Sequence, residues 1–185
     1  MKLNVKEILK PTLILVVICV VVTACLAVTN AATKDTIKAR DAADAKASRQ
    51  IALPGADSFE QSADEKTCYI GKKNGKEIGW VFTTSTASYG GDIKVMTGID
   101  NDGKITGVVL VSTSDTPGLG LNAKKESFRN QYKQQVPDKG FEVVKSGNAG
   151  KGQINALTGA TISSKAVTKA VNEAITEYNK VKGGD

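Results

Sequence analysis

Histidine is absent from this 185-residue sequence. Without it the chain alone can run neither Ser-His-Asp nor Cys-His catalysis, and it offers no ligand for His-bound zinc or haem. Cysteine is nearly as scarce, at Cys19, Cys25 and Cys68, and the first two share one apolar run. Outside that run no second cysteine accompanies Cys68. The part of the chain after that run can form no intrachain disulfide, the absence of a paired-cysteine motif excludes a cysteine-ligated iron–sulfur cluster, and the fold must rest on its core. Aromatic residues make up only 5% of the chain, and the net charge of +6 is spread along it with no basic stretch interleaved with aromatics. That distribution is a solvated surface and not a nucleic-acid footprint. No acid–base constellation stands out either, so we expect no catalytic residue, no metal site and no complete active site of its own.

What the chain does have begins at its N-terminus. Residues 11–32, PTLILVVICVVVTACLAVTNAA, form a long charge-free run. Its length and composition suit a transmembrane helix crossing roughly 30 Å of hydrocarbon. Lys2, Lys6 and Lys10 precede the run while Lys34, Lys38 and Arg40 come after it, so Lys and Arg alone do not orient it. A short basic tail before an apolar run has the shape of a signal anchor, which places residues 1–10 in the cytoplasm and exports the rest of the chain. Val22–Cys25 also resembles a lipoprotein cleavage box, in which Cys25 would carry lipid and the span would be removed. The apolar run continues through Leu26, Ala27 and Val28, as a retained helix would.

Residues 33–53 are rich in Ala, Lys, Arg and Asp without Gly or Pro and read as a helical stalk, ended at Pro54. Residues 54–185 then form one small domain. Asn74-Gly75 between apolar runs is a strong hairpin turn, and residues 92–113 alternate on both sides of Asn101-Asp102-Gly103 as a second hairpin. A helix is predicted from about Ala123 to Gln135, with Phe128 and Tyr132 on one face and Val136-Pro137 as its stop. Residues 141–145 and 153–157 are short strand candidates. From Ser163 onward, Val167, Ala170, Val171, Ala174, Ile175, Tyr178 and Val181 recur at helical spacing up to Gly183 and Gly184. Hairpins with helices grouped toward the end predict an α+β domain around an antiparallel sheet.

The start of that last helix is unusual. Leu157–Val167 reads LTGATISSKAV and offers several hydroxyls where one capping residue would suffice. At a helix N-terminus, beside Gly159, such a segment suits a phosphate. A [Ser/Thr]-Gly-Ala-Thr pattern arises by chance in a chain of this size on the order of one time in a hundred. Earlier, Gly118, Gly120 and Ala123 have the G-x-G-x-x-A spacing of a dinucleotide loop, but the preceding strand belongs to a hairpin and not to a βαβ unit. The remaining readings are a Gly-rich turn with Asn122 capping a helix, or a loop whose glycines let backbone approach a flat ligand. Tyr89-Gly90-Gly91-Asp92 alone is a bulge or turn.

Taken together, residues 155–167, preceded in order by Asp115–Gly120 and Tyr89–Gly91 behind one span and a stalk, resemble the G subunit of the Rnf electron-transport complex. They are similar also to the C subunit of the sodium-pumping NADH:quinone reductase. The resemblance implies covalent FMN, joined by a phosphoester to Thr161 through a separate flavin transferase. Thr158, Gly159, Ala160, Ser163 and Ser164 would surround that phosphate. Thr116, Pro117, Gly118 and Leu119 would pack on the isoalloxazine ring, and Tyr89, Gly90 and Gly91 would border the same pocket. Asn155 stands where the family pattern has Asp, and Asp115 where relatives often show Glu. The implied role is an electron relay in a single-pass subunit of the cell membrane, its domain extracytoplasmic, within an ion-translocating ferredoxin:NAD oxidoreductase. Its implied partners are the other membrane subunits, including a second flavinylated one. Two alternatives are a lipoprotein FMN shuttle serving extracellular electron transfer, and a non-redox exported binding or scaffold module.

Overall fold

The computed structural model describes residues 5–62, 67–145, 147, 149–183, with backbone only at 5–8. Lys2 and Gly184, used above for the tail and for the helix end, lie outside the described residues. Two compact units emerge, Met1–Ala43 and Asp44–Asp185.

The first unit contains most of helix α1, Val5–Ala52. Leu13, Val17, Val20 and Leu26 among many others are exposed along it. An apolar surface with no protein against it is what a lipid-facing helix presents. The helix is long and apolar enough to cross a membrane.

The second unit starts ten residues earlier than composition suggested. Ala52 and Leu53 are fully buried, and with Ala56, Val81, Met96 and Val109 they form a small core that Ala45 also packs against. The end of the stalk is thus part of the domain, because its small apolar residues cover one face of the sheet. That sheet is an antiparallel meander of β1 (Ser58–Gln61), β2 (Cys68–Lys73), β3 (Lys76–Ser88), β4 (Gly91–Asp100) and β5 (Ile105–Ser112), in that order. Asn74 and Gly75 both take positive φ, 51° and 77°, as a two-residue type I′ hairpin demands. The second expected hairpin, β4–β5, is present around residues 101–103. Between the two, Ser88 pairs with Gly91, so Tyr89-Gly90 is itself a two-residue hairpin turn.

On the opposite face lies α3, Thr161–Gly183. Ala166, Val167, Ala170, Val171, Ala174, Ile175 and Tyr178 meet Phe82, Ile93, Val95 and Ile99 in the main core, whereas Val181 is exposed in the last turn. The threonines of β3 fix this packing. Thr84 and Thr86 donate their hydroxyls to the carbonyls of Ala170 and Ala166, each at 2.9 Å. Residues two apart on a strand and four apart on a helix both advance about 6–7 Å, so the two bonds match in register.

The helix expected from Ala123 to Gln135 is broken into a 3-10 turn Gly120–Lys124, one α turn α2 (Glu126–Arg129) and a further 3-10 turn Asn130–Tyr132. Phe128 and Tyr132 are buried as the pattern required. Burial, not backbone regularity, was what their spacing encoded. The two strand candidates are β6 (Glu142–Val144) and β7 (Gln153–Asn155), which pair in parallel as a separate sheet.

Candidate functional site

Two turns face each other at one end of the sheet. The first is Thr116–Leu119, where the Leu119 N–H donates to the Thr116 carbonyl at 3.2 Å. Pro117 presets φ at the second position, and Gly118 takes φ 80° at the third, the pattern of a type II turn. Asn122 does not cap a helix; its side-chain N–H donates back to the Gly118 carbonyl at 2.6 Å. The second turn is Leu157–Ala160, closed by the Ala160 N–H to the Leu157 carbonyl at 3.0 Å, with Gly159 at φ 73°. Ser164 clasps it: its hydroxyl oxygen accepts from the Leu157 N–H and donates to the Ala160 carbonyl, both at 2.9 Å. Gly159 is not in open space, because a Cβ there would sit 3.1 Å from Leu119 Cδ2. The turns therefore touch through Leu119 and Gly159.

Between them opens a cleft of about 630 Å³ lined by Tyr89, Thr116, Leu119, Gly120, Gly159, Ala160, Thr161, Ile162 and Ser163. The first backbone bond into α3 is from the Ser164 N–H to the Ala160 carbonyl. The N–H groups of Thr161, Ile162 and Ser163 precede the helical ladder and stand at its positive end. The Thr161 hydroxyl is half-buried on the cleft wall and outside the bonds that Ser164 makes. Behind the wall, Asp115 is buried and accepts from Ser88 Oγ and from the Gly90 N–H, both at 2.7 Å. Burial pushes its carboxyl up, but hydrogen bonds from Ser88, Gly90, Ser163 and Thr113 outweigh that and hold it below the ordinary carboxylate value.

Tyr89, Thr116, Leu119, Gly159, Ala160, Thr161 and Ser163 come together from the sequence expectation. Pro117 and Gly118 build the first turn without lining the cleft, and Gly90 and Gly91 follow Tyr89 in the chain without lining it either. Thr158 is exposed beside the cleft. Ser164 is fully buried and committed to the 157–160 turn, so it is not free to bond a phosphate. Asn155 is also off the cleft: Gln131 pins its backbone, and its side-chain oxygen is buried without a hydrogen-bond partner among the described residues. Sequence reasoning missed Gly120 and Ile162 as lining residues and gave Asp115 no role. Gly120 belonged to the noted Gly-rich spacing, where a Cβ would run into Ser163 Oγ.

Residues 88–176 match the FMN-binding domain family, and residues 1–50 match the RnfG N-terminal region. The G subunit of the Na(+)-translocating ferredoxin:NAD(+) oxidoreductase complex of Acetobacterium woodii is 36% identical over 95% of this chain and 94% of its own length. The chain belongs to the family of Rnf G subunits. The G subunit of the proton-translocating complex of Clostridium ljungdahlii is 40% identical over 73% of this chain and 72% of its own. In fold the chain is similar to the C subunit of the Na(+)-translocating NADH-quinone reductase of Parabacteroides distasonis, with TM-score 0.52 and 24% identity over 61% of this chain and 60% of that one. The FMN-binding match takes in every residue that lines the cleft. The residues present suit such a group: apolar side chains at Leu119 and Ile162, an aromatic at Tyr89, hydroxyls at Thr116, Thr161 and Ser163, and at the start of α3 the N–H groups that precede its hydrogen-bond ladder.

Proposed function

We propose that this chain is the electron-carrying subunit of a membrane-bound Rnf-type ferredoxin:NAD oxidoreductase complex, with FMN held covalently on Thr161. The observation that carries this reading is the Thr161 hydroxyl, uncommitted on the wall of the cleft at the N–H end of α3, within the segment matched by the FMN-binding domain. Thr161 Oγ1 would become the ester oxygen of the phosphate, so the chain gains FMN less one water. The N–H groups of residues 161–163 and the dipole of α3 would hold the phosphate charge. Leu119 and Tyr89 would flank the ring, and Thr116 and Ser163 would offer it hydroxyls. When bound, FMN supplies electron transfer that no side chain of this protein can perform.

A covalent link suits a domain outside the cytoplasm, where a dissociated cofactor would be lost by dilution and a tethered one is not. We accordingly place residues 1–10 in the cytoplasm, the span at 11–32 and the domain outside. Partners under this reading are the other membrane subunits, a second flavinylated subunit among them, and a flavin transferase that must accept Asn155 near its target. The match of residues 1–50 to the RnfG N-terminal region supports a retained span over lipidation at Cys25. The test is ferredoxin-dependent NAD reduction in native membranes. Thr161→Ala should abolish it while leaving the subunit in the complex, whereas wild-type rates in that variant would refute the reading.

A further inference from the structure

We propose that Asp115 is the positioning residue of the cleft: its buried carboxylate gathers the Tyr89–Gly90 turn, the Thr116–Leu119 turn and the first turn of α3 into one site. This rests on the FMN reading for its functional meaning but not for its geometry. Three walls meet at one side chain. From the β3–β4 hairpin, Ser88 Oγ and the Gly90 N–H each donate to the carboxylate at 2.7 Å. From α3, Ser163 Oγ reaches the same point, since a Cβ built on Gly120 would meet both Ser163 Oγ and Asp115 Oδ2, and Ser163 is among the groups that hold the carboxyl below its ordinary value. Its own N–H donates to Thr113 Oγ1 at 3.1 Å, which fixes the segment leading into the Pro117-Gly118 turn. Each of these segments supplies at least one residue that lines the cleft: Tyr89, then Thr116 and Leu119, then Thr161 to Ser163.

The packing around this carboxylate leaves no slack. A Cβ at Gly90 would collide with the Ser114 carbonyl, and one at Gly120 would collide with Ser163 Oγ and crowd the carboxylate itself. Asp115 is only 5% exposed, and the ion pairs among the described residues, Lys72 with Glu60 and Lys169 with Glu173, lie elsewhere. A buried carboxylate without a cation is costly and persists where hydrogen bonds repay it. Here those bonds all come from segments that form the cleft, and the chain connects none of these segments directly to the next. Removing the acceptor would leave the Gly90 N–H without a partner and release the Tyr89 turn from α3.

Amide hydrogen exchange on the full chain in detergent, made without a flavin transferase, reads the clasp with no cofactor present. Asp115→Ala should raise exchange at Gly90 at least tenfold and loosen residues 161–164. Asp115→Asn should restore most of the protection, because its oxygen can still accept from Gly90 and its NH₂ can donate to the hydroxyl oxygen of Ser88. Val171→Ala, a core truncation in α3, serves as the stability control and should leave Gly90 unmoved. Made with a transferase, Asp115→Ala should carry at least fivefold less FMN than wild type and show a displaced visible band, with Asp115→Asn close to wild type in both. Gly90 exchange in Asp115→Ala no higher than in Val171→Ala overturns the proposal, as does full FMN loading of Asp115→Ala with an unshifted band. A wild-type chain that takes up no flavin overturns the FMN reading instead, and the exchange comparison still decides the role of Asp115.

Discussion

At the scale of single residues, Gly159 and Asp115 are constrained from opposite directions. Gly159 sits at φ 73° with Leu119 Cδ2 where its side chain would begin. Left-handed backbone costs a residue with a Cβ about 1–2 kcal/mol. Gly159→Ala should therefore lower the unfolding free energy by about that amount and push Leu119 toward the cleft, which thermal unfolding and FMN content will show together. Asp115 is depressed in the fold, so its contribution is complete above the ordinary carboxylate value and is lost as pH falls through the lower folded one. The stability difference between wild type and Asp115→Asn should accordingly be constant near neutrality and shrink below about pH 4 in acid titrations followed by circular dichroism. The sequence displayed Gly159 plainly, since Thr-Gly-Ala-Thr is unusual. Asp115, in a run of Ser and Thr before Pro-Gly, looks like any turn residue, because its partners Ser88 and Gly90 and its neighbour Ser163 are distant in sequence and nothing local marks them.

At the scale of elements, the site depends on how the helices are seated. Thr84 and Thr86 hold α3 by bonds to carbonyls that also serve its own ladder. Replacing either with Val keeps the shape and removes one bond without orphaning an acceptor, so each change should cost about 0.5–1.5 kcal/mol in urea unfolding. On the other face, a Cβ at Gly98 or Gly107 would run into the carbonyls of Ile51 and Ala52, and Thr106 Oγ1 donates to the same Ala52 carbonyl. Gly98→Ala should cost about 1–3 kcal/mol and expose the chain near Arg49 to trypsin, seen as a new cleavage before any in the sheet. The hairpin turns and α3 were legible because Asn-Gly, Asn-Asp-Gly and a long 3.6-residue period are local signals. The segment from Gly120 to Tyr132 was not: its apolar spacing suits a helix, but Gly120 must approach Ser163 and Tyr132 must reach Thr168 at 2.7 Å, and these tertiary contacts break the backbone into short turns.

At the scale of the whole molecule, the chain joins a lipid-suited helix to a domain that holds a cleft of flavin-compatible chemistry. The apolar run and the α+β pattern carried that division in the sequence. The extent of the second unit did not show, because Ala52 and Leu53 look like the tail of a stalk until the sheet face they cover is known. If the domain is extracytoplasmic, protease added to spheroplasts should remove it while a cytoplasmic marker survives; protection until the membrane is dissolved would place it inside. The central claim is the covalent flavin on Thr161, and the most direct test is the intact mass and visible spectrum of the protein from its native membrane beside Thr161→Ala. A yellow protein heavier by one FMN less water, with both signals absent from the variant, is the predicted result. A colourless protein of unmodified mass, from cells shown to contain an active flavin transferase, would contradict it.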